Sequence, residues 1–179
     1  WREVIDAPDA AIGRLPDGVP MALGSAFFSP STSAWVALHD IAKVRAGERV
    51  LVSGASGAVG SLAMQLARDA GAEACAMSAE GPSLPADVLI DTVGGEVLAA
   101  ALAHVVPGGR AVLVGYTAGN ELVIDIARFL QRDVSLLPLN MFRRDAAGRA
   151  AAPDVLARLA DGRLQLQVTE FALADAARA

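Results

Sequence analysis

The chain has 179 residues, 54% of them hydrophobic and 20% charged, with a formal net charge of −5. That length can bury one sizeable core. Its apolar runs are broken by Arg, Asp or Gly before the ~18 residues of a membrane span, and no basic cluster exceeds Arg143-Arg144, which argues against a nucleic-acid partner. Cys75 is the only cysteine, so no internal disulfide forms, and a buried, inert thiol in a cytoplasmic protein is expected. WREVIDAPD lacks the basic-then-apolar layout of a signal peptide.

In chain order, EVIDA and AIGRLP read as short extended pieces over residues 3–16, and LPDG as a turn. Residues 20–43 are helix-like in two parts broken at Pro30, with Ser31, Thr32 or Ser33 as a cap for the second. RVLVS (49–53) is the first strand of a series. After SGASGAVG, Leu62, Leu66 and Ala70 recur at helical spacing, and Gly71 stops that helix. AEACAMS (72–78), DVLIDTV (87–93) and GRAVLVGY (109–116) are the next strands. Between the last two, GEVLAAALAHVVPGG reads as a helix ended by Pro107-Gly108-Gly109. Residues 124–132 look helical, VSLLPL (134–139) strand-like and PDVLARLADG (153–162) helical. QLQVTEF is a final strand, followed by a short alanine-rich helix. Apolar strands alternating with helices imply an α/β fold, a doubly wound parallel sheet covered on both faces.

Gly54, Gly57 and Gly60 lie between the first strand and its helix. A helix N-terminus offers unpaired N–H groups and a positive dipole end, and a pyrophosphate fits there if no side chain blocks it. In this reading Gly57 removes the block, Gly54 permits the sharp exit from the strand, and Gly60 lets helix and strand pack closely. Ala55 stands where G-x-G-x-x-G has its first glycine, so the match is partial, and glycines used only for packing are the rival reading. The tip of the second strand, Met77-Ser78-Ala79, carries no carboxylate to grip a ribose, and Glu80 comes a little late. This favours NADPH over NADH, with Ser78 near the 2′-phosphate, although no cation stands beside it.

The stretch WVALHDIAKVRAGERVLVSGASGAVGSLAMQLARDAGAE resembles the medium-chain dehydrogenase/reductase superfamily, in its zinc-free quinone oxidoreductase and enoyl reductase branch. DVLIDTVGGEVL, ALAHVVPGGRAVLVGYTAG and LADGRLQLQVTEFALADAARA extend the resemblance over most of the chain from about residue 14. It implies a Rossmann-like domain that binds NADPH and transfers hydride to an activated C=C or a quinone, a small-molecule substrate. It places the phosphate turn on Gly54, Ser56, Gly57, Ala58 and Val59. Thr92 and Val93 would lie beside the cofactor, and Gly115, Tyr116 and Thr117 on the nicotinamide side, with Leu139, Asn140 and Met141 following the last parallel strand. Ser33 takes the usual threonine position in TSAW. Residues 1–19 would be a remnant leading from an absent barrel-like catalytic domain, 20–163 the NADP-binding domain, and 164–179 a return segment toward the absent domain. A homodimer through the 134–139 strand is also implied.

The sheet series is short in its middle. The link at residues 79–86 is about eight residues, a reach of ~26 Å at ~3.3 Å each, which can return along one strand but cannot hold a helix, strand and helix. One edge strand-helix unit is therefore expected to be missing. If the adenosine pocket is lost with it, the chain could instead be a degenerate, non-catalytic scaffold within a larger enzyme. Other chemistries fit less well. One Cys and two isolated His, His39 and His104, cannot build a zinc site. Tyr116 has Asn120, not Lys, four residues on, which excludes the short-chain dehydrogenase pair. Ser56 on a strand-to-helix turn, with Asp91 and His104 after it, follows a hydrolase order, but Ala58 replaces the second glycine of G-x-S-x-G and His104 reads as part of a helix. Asp91 reads as a cap for the following helix, with ribose contact as the alternative.

Overall fold

A computed structural model describes residues 4–9, 12–78, 81–82 and 84–178. Five parallel strands form one sheet in the order β2-β1-β3-β4-β5. They are β1 Arg49–Ser53, β2 Glu73–Ala76, β3 Ala86–Asp91, β4 Val105–Leu113 and β5 Ser135–Pro138. The helices are α1 Met21–Ala26, α2 Phe28–Trp35, α3 Ala58–Asp69, α4 Gly95–Leu102, α5 Ile126–Arg132 and α6 Asp145–Ala160. This is the expected α/β Rossmann-like sheet. The chain passes from β2 to β3 with no strand or helix among the described residues between them, so β2 is an edge. Ala79, Glu80 and Ser83, within the link singled out above, lie outside the described residues, as do Trp1 to Glu3.

The central strands read as unbroken apolar runs because helices cover both faces. Val50, Val52, Val88, Ile90 and Val112 pack under Leu38, Leu62, Leu66 and Val155 on one side. Leu51, Leu89 and Ala111 pack under Leu98, Ala101 and Val134 on the other. Each fully buried branched side chain is worth ~1.5–3 kcal/mol relative to exposure, and alternation along each strand divides that gain between the two layers. At the N-terminal end of the sheet, Arg110 grips Glu48 with two bonds of 2.9 and 2.8 Å and reaches back to the Ala42 carbonyl. That clamp anchors the wider π-helical turns Val36–Ala42 that continue α2.

Several boundaries differ from the sequence reading. The break expected at Pro30 falls one turn earlier, at Phe27. Pro30 has no N–H, so the Ala26 carbonyl loses its partner four residues on, while Pro30 itself sits in the first turn of α2 where proline is tolerated. Ser31, Thr32 and Ser33 are therefore inside α2 and not at its cap; Thr32 Oγ1 donates to the Phe28 carbonyl at 2.7 Å. The helix after β3 stops at Leu102, and β4 begins at Val105, before the Pro-Gly-Gly expected to end the helix. Ala86 pairs with Val105 but Val88 pairs with Arg110, so Pro107-Gly108-Gly109 bulge out of the ladder. The last long helix starts at Asp145 rather than at Pro153, because DAAGRAAA is rich in good helix formers.

QLQVTEF forms no strand. Gln165 is tied to Gln65 by bonds of 2.8 and 2.9 Å, but no neighbouring strand edge among the described residues pairs with this segment. The same holds for the described parts of EVIDA and AIGRLP, which are irregular. The ending expected as a short helix is a 3₁₀ turn, Leu173–Arg178.

Candidate functional site

Parallel strands bring all their C-terminal ends to one edge of the sheet. The chain order reverses between β1 and β3: β1 leads outward to β2 on one side, and β3 leads to β4 on the other. A crevice at such a switch point is where open α/β sheets receive ligands.

The bend after β1 is open. Ser56, Gly57 and Ala58 are exposed, and the backbone runs from Gly54 (φ +64°) into α3 with Gly57 as its N-cap. A Cβ on Gly57 would meet only the Gly54 carbonyl oxygen, at 3.4 Å; the remaining space around it is empty. The two other glycines do different work. A Cβ on Gly54 would strike Thr92 Oγ1 and Val93 Cγ2, and one on Gly60 would drive into the Gly54 carbonyl. Tight packing accounts for Gly54 and Gly60, while Gly57 faces open space.

The loop after β3 lies against this bend. Ser53 Oγ donates to Asp91 Oδ1 at 2.5 Å, and Thr92 Oγ1 donates to the Ser53 carbonyl at 2.9 Å. Asp91 Oδ2 accepts from the Gly94 N–H at 2.9 Å; Gly94 itself is the N-cap of α4 and that helix has no side-chain cap, so Asp91 braces the turn before the helix instead of capping it as expected. Asp91 is completely buried, and burial pushes its carboxyl above the ordinary value against the pull of these bonds. The loop after β4 stacks on the next layer. A Cβ on Gly115 would strike the Thr92 carbonyl, and Ala118 N–H donates to the Val93 carbonyl at 2.8 Å. Tyr116 is 74% exposed, with its Cα against Gly94. Thr117 is exposed beside it.

Ser33 and Met141 line a second hollow of about 510 Å³ with Phe28, Thr32 and Phe142. Leu139 N–H continues the ladder to the Leu113 carbonyl at 2.9 Å, and Asn140 Oδ1 accepts from Arg143 N–H at 3.2 Å. Val59 and Leu139 both pack against the same core. Ser78 stands apart: its hydroxyl donates to the Gly81 carbonyl within its own turn, at 3.3 Å. Sequence reasoning did not pick out Ser53, Phe28 or Phe142. Ser53 had a signal, as the single polar residue closing an otherwise apolar strand, level with Asp91 at the end of β3.

The hydrolase constellation is not assembled. Ser56 follows β1, whereas His104 lies in the turn before β4, at the opposite end of parallel strands, and not inside a helix. Asp91 is engaged by Ser53. No group of three His, Cys, Asp or Glu suited to a metal occurs among the described residues. Cys75 is partly buried instead of fully buried as expected, and that partial burial raises its thiol above the ordinary value. Among the described residues, no helix is long and apolar enough to cross a membrane.

Comparison with known proteins agrees with this geometry. The family described as zinc-binding dehydrogenase matches residues 68–179. Polyketide synthase GfsB of Streptomyces halstedii is 35% identical over 139 residues, which cover 64% of this chain and 2% of that protein. A mycocerosic acid synthase-like polyketide synthase of Mycobacterium tuberculosis is 37% identical over 73 residues, 41% of this chain and 4% of that protein. The chain thus spans a few per cent of the length of these relatives. Among solved structures, AibC superposes with a TM-score of 0.74 at 26% identity, over 93% of this chain and 58% of its own. The quinone oxidoreductase of Thermus thermophilus, solved also in complex with NADPH, gives 0.70 at 28% identity, over 88% and 60%.

Proposed function

Because the chain belongs to the zinc-binding dehydrogenase family of the medium-chain dehydrogenase/reductase superfamily, we propose that it is the nucleotide-binding part of an NADPH-dependent reductase acting on an activated C=C or a quinone. The observation that carries this reading is the open bend at Ser56–Ala58, at the switch point of the sheet and at the start of a twelve-residue helix. The backbone of Gly54, Ser56, Gly57, Ala58 and Val59 would hold the diphosphate. Thr92 and Val93 would bound the crevice behind it, and Gly115, Tyr116 and Thr117 would lie on the nicotinamide side. Ser33, Leu139, Asn140 and Met141 would complete that side. NADPH is favoured over NADH because Met77 and Ser78, at the tip of β2, offer no carboxylate to repel a 2′-phosphate.

The bound nicotinamide would supply the hydride. The part of this chain is to bind, orient and exclude water, and no side chain is assigned as acid or base. Zinc plays no part in the proposal, since the described residues offer no ligand cluster. The relatives that are polyketide synthases support a place within a larger enzyme, which we take to be cytoplasmic, with substrate contacts completed by a barrel-like domain beyond residues 1–19 and 164–179. The exposed edge of β5 would suit a homodimer.

A second reading has one observation behind it. The direct passage from β2 to β3 leaves the adenosine side of the crevice with β2 as its last strand. On that reading the domain is a non-catalytic scaffold. Titration with NADPH, followed by the fluorescence of Trp35, separates the two. Saturable binding at micromolar concentrations supports the reductase; no saturation below millimolar levels supports the scaffold.

A further inference from the structure

Ser53 and Asp91 close β1 and β3, are register partners, and are both completely buried. Among the described residues no cation pairs with Asp91. Among the described residues its carboxylate accepts from the Ser53 hydroxyl at 2.5 Å and the Gly94 N–H at 2.9 Å. A buried carboxylate without a counter-charge costs several kcal/mol in desolvation, and a neutral pair would close two strand ends more cheaply. The bonds it makes join the end of β1 to the loop that follows β3. Ser53 Oγ also accepts from the Thr92 N–H at 3.0 Å. Ser53 leads directly into Gly54, whose left-handed backbone turns over Thr92 Oγ1 and Val93 Cγ2. Gly94 is the N-cap of α4 and carries the Tyr116 loop against it.

We propose that Asp91 is a positioning residue: acting through Ser53 and Gly94, it locks the bend at Gly54–Gly57 and the loop at Thr92–Gly94 into one shared orientation toward the dinucleotide. This rests on the functional reading above. It adds that the spacing between the two walls of the crevice is set by one buried carboxylate rather than by packing alone. Loosening it lets the diphosphate bend drift relative to the loop that borders the nicotinamide half. Nucleotide affinity then falls by more than the general loss of stability would explain.

The test is NADPH titration of the chain, read by Trp35 fluorescence, alongside urea melts. The variants are Asp91→Asn, Ser53→Ala and the double variant, with Glu48→Gln as a destabilised control at the far end of the sheet. Each single change is expected to weaken NADPH binding about tenfold, the scale of one hydrogen bond to a charged group. The double variant should be no weaker than the worse single, since both break one link. Glu48→Gln should lower stability yet keep affinity within about twofold, as distant sites act independently. Affinities for Ser53→Ala and Asp91→Asn no weaker than that of Glu48→Gln overturn the proposal, and so do losses that simply add. If Asp91→Asn does not fold, Ser53→Ala against the control decides alone. A wild-type chain that does not bind NADPH overturns the functional reading and this inference with it; wild-type binding with unaffected variants removes only the inference.

Discussion

Gly60 packs directly on the carbonyl of Gly54, so closely that a Cβ on Gly60 would overlap that oxygen and its carbon. The obstacle is backbone and cannot rotate away. Gly60 is also buried in the first turn of α3. The Gly60→Ala variant must therefore lift α3 off β1. A loss of ~1–3 kcal/mol in urea melts is expected, the usual cost of overpacking. A variant as stable as the wild type would mean that helix and strand are not in this contact.

Two carboxylates should give opposite pH signatures. The side-chain bond from Arg110 holds Glu48 below its ordinary 4.5, outweighing the upward push of burial. The unfolded chain then binds its proton more tightly, so the stability Glu48 contributes is present above that value and is lost as pH falls through the lowered one. Burial holds Asp91 above its ordinary 3.8, outweighing its hydrogen bonds. Its contribution is present below 3.8 and is lost as pH rises through the raised value. Urea melts across pH on wild type, Glu48→Gln and Asp91→Asn check both signs. The wild-type advantage over Glu48→Gln should grow with pH and vanish in acid, and the advantage over Asp91→Asn should shrink as pH rises. A pH-independent difference for either variant contradicts the corresponding assignment.

Lys43 ends the π-helical turns in the left-handed region, at φ +51° and ψ +53°. A lysine there carries the Cβ strain that glycine avoids. The Arg110 bond at this point goes to the Lys43 carbonyl, which any residue supplies. Lys43→Gly should raise stability by ~0.5–1 kcal/mol in thermal or urea melts, and a loss of that size would show that the lysine side chain itself contributes.

Much of the fold was legible because its signals are local. Val50-Leu51-Val52 reads as a strand buried on both faces, and Gly54, Gly57 and Gly60 mark the passage into a helix that buries Leu62 and Leu66. The boundaries that moved depend on partners distant in sequence. Val105 became strand because Ala86 was there to pair with it, and residues 165–171 stayed unpaired because they join neither open edge of the sheet, β2 or β5. The break near Pro30 follows from the missing N–H, but the four-residue reach of a helical hydrogen bond displaces it to Phe27. In the site, glycine spacing pointed to the bend, but the Ser53–Asp91 bond joins residues 38 positions apart and follows only from strand register.

The most direct test of the central claim is the Gly57→Asp variant, measured by NADPH titration and urea melt together. Gly57 is the N-cap of α3, its φ of −76° and ψ of 167° suit any residue, and aspartate is among the preferred residues there. The helix should be as stable as before or firmer by up to ~1 kcal/mol. If the bend receives a diphosphate, the new side chain fills that space with like charge, and NADPH affinity should fall at least about tenfold, ~1.4 kcal/mol. Undiminished affinity in a stable Gly57→Asp chain would contradict the claim that these amides hold the nucleotide.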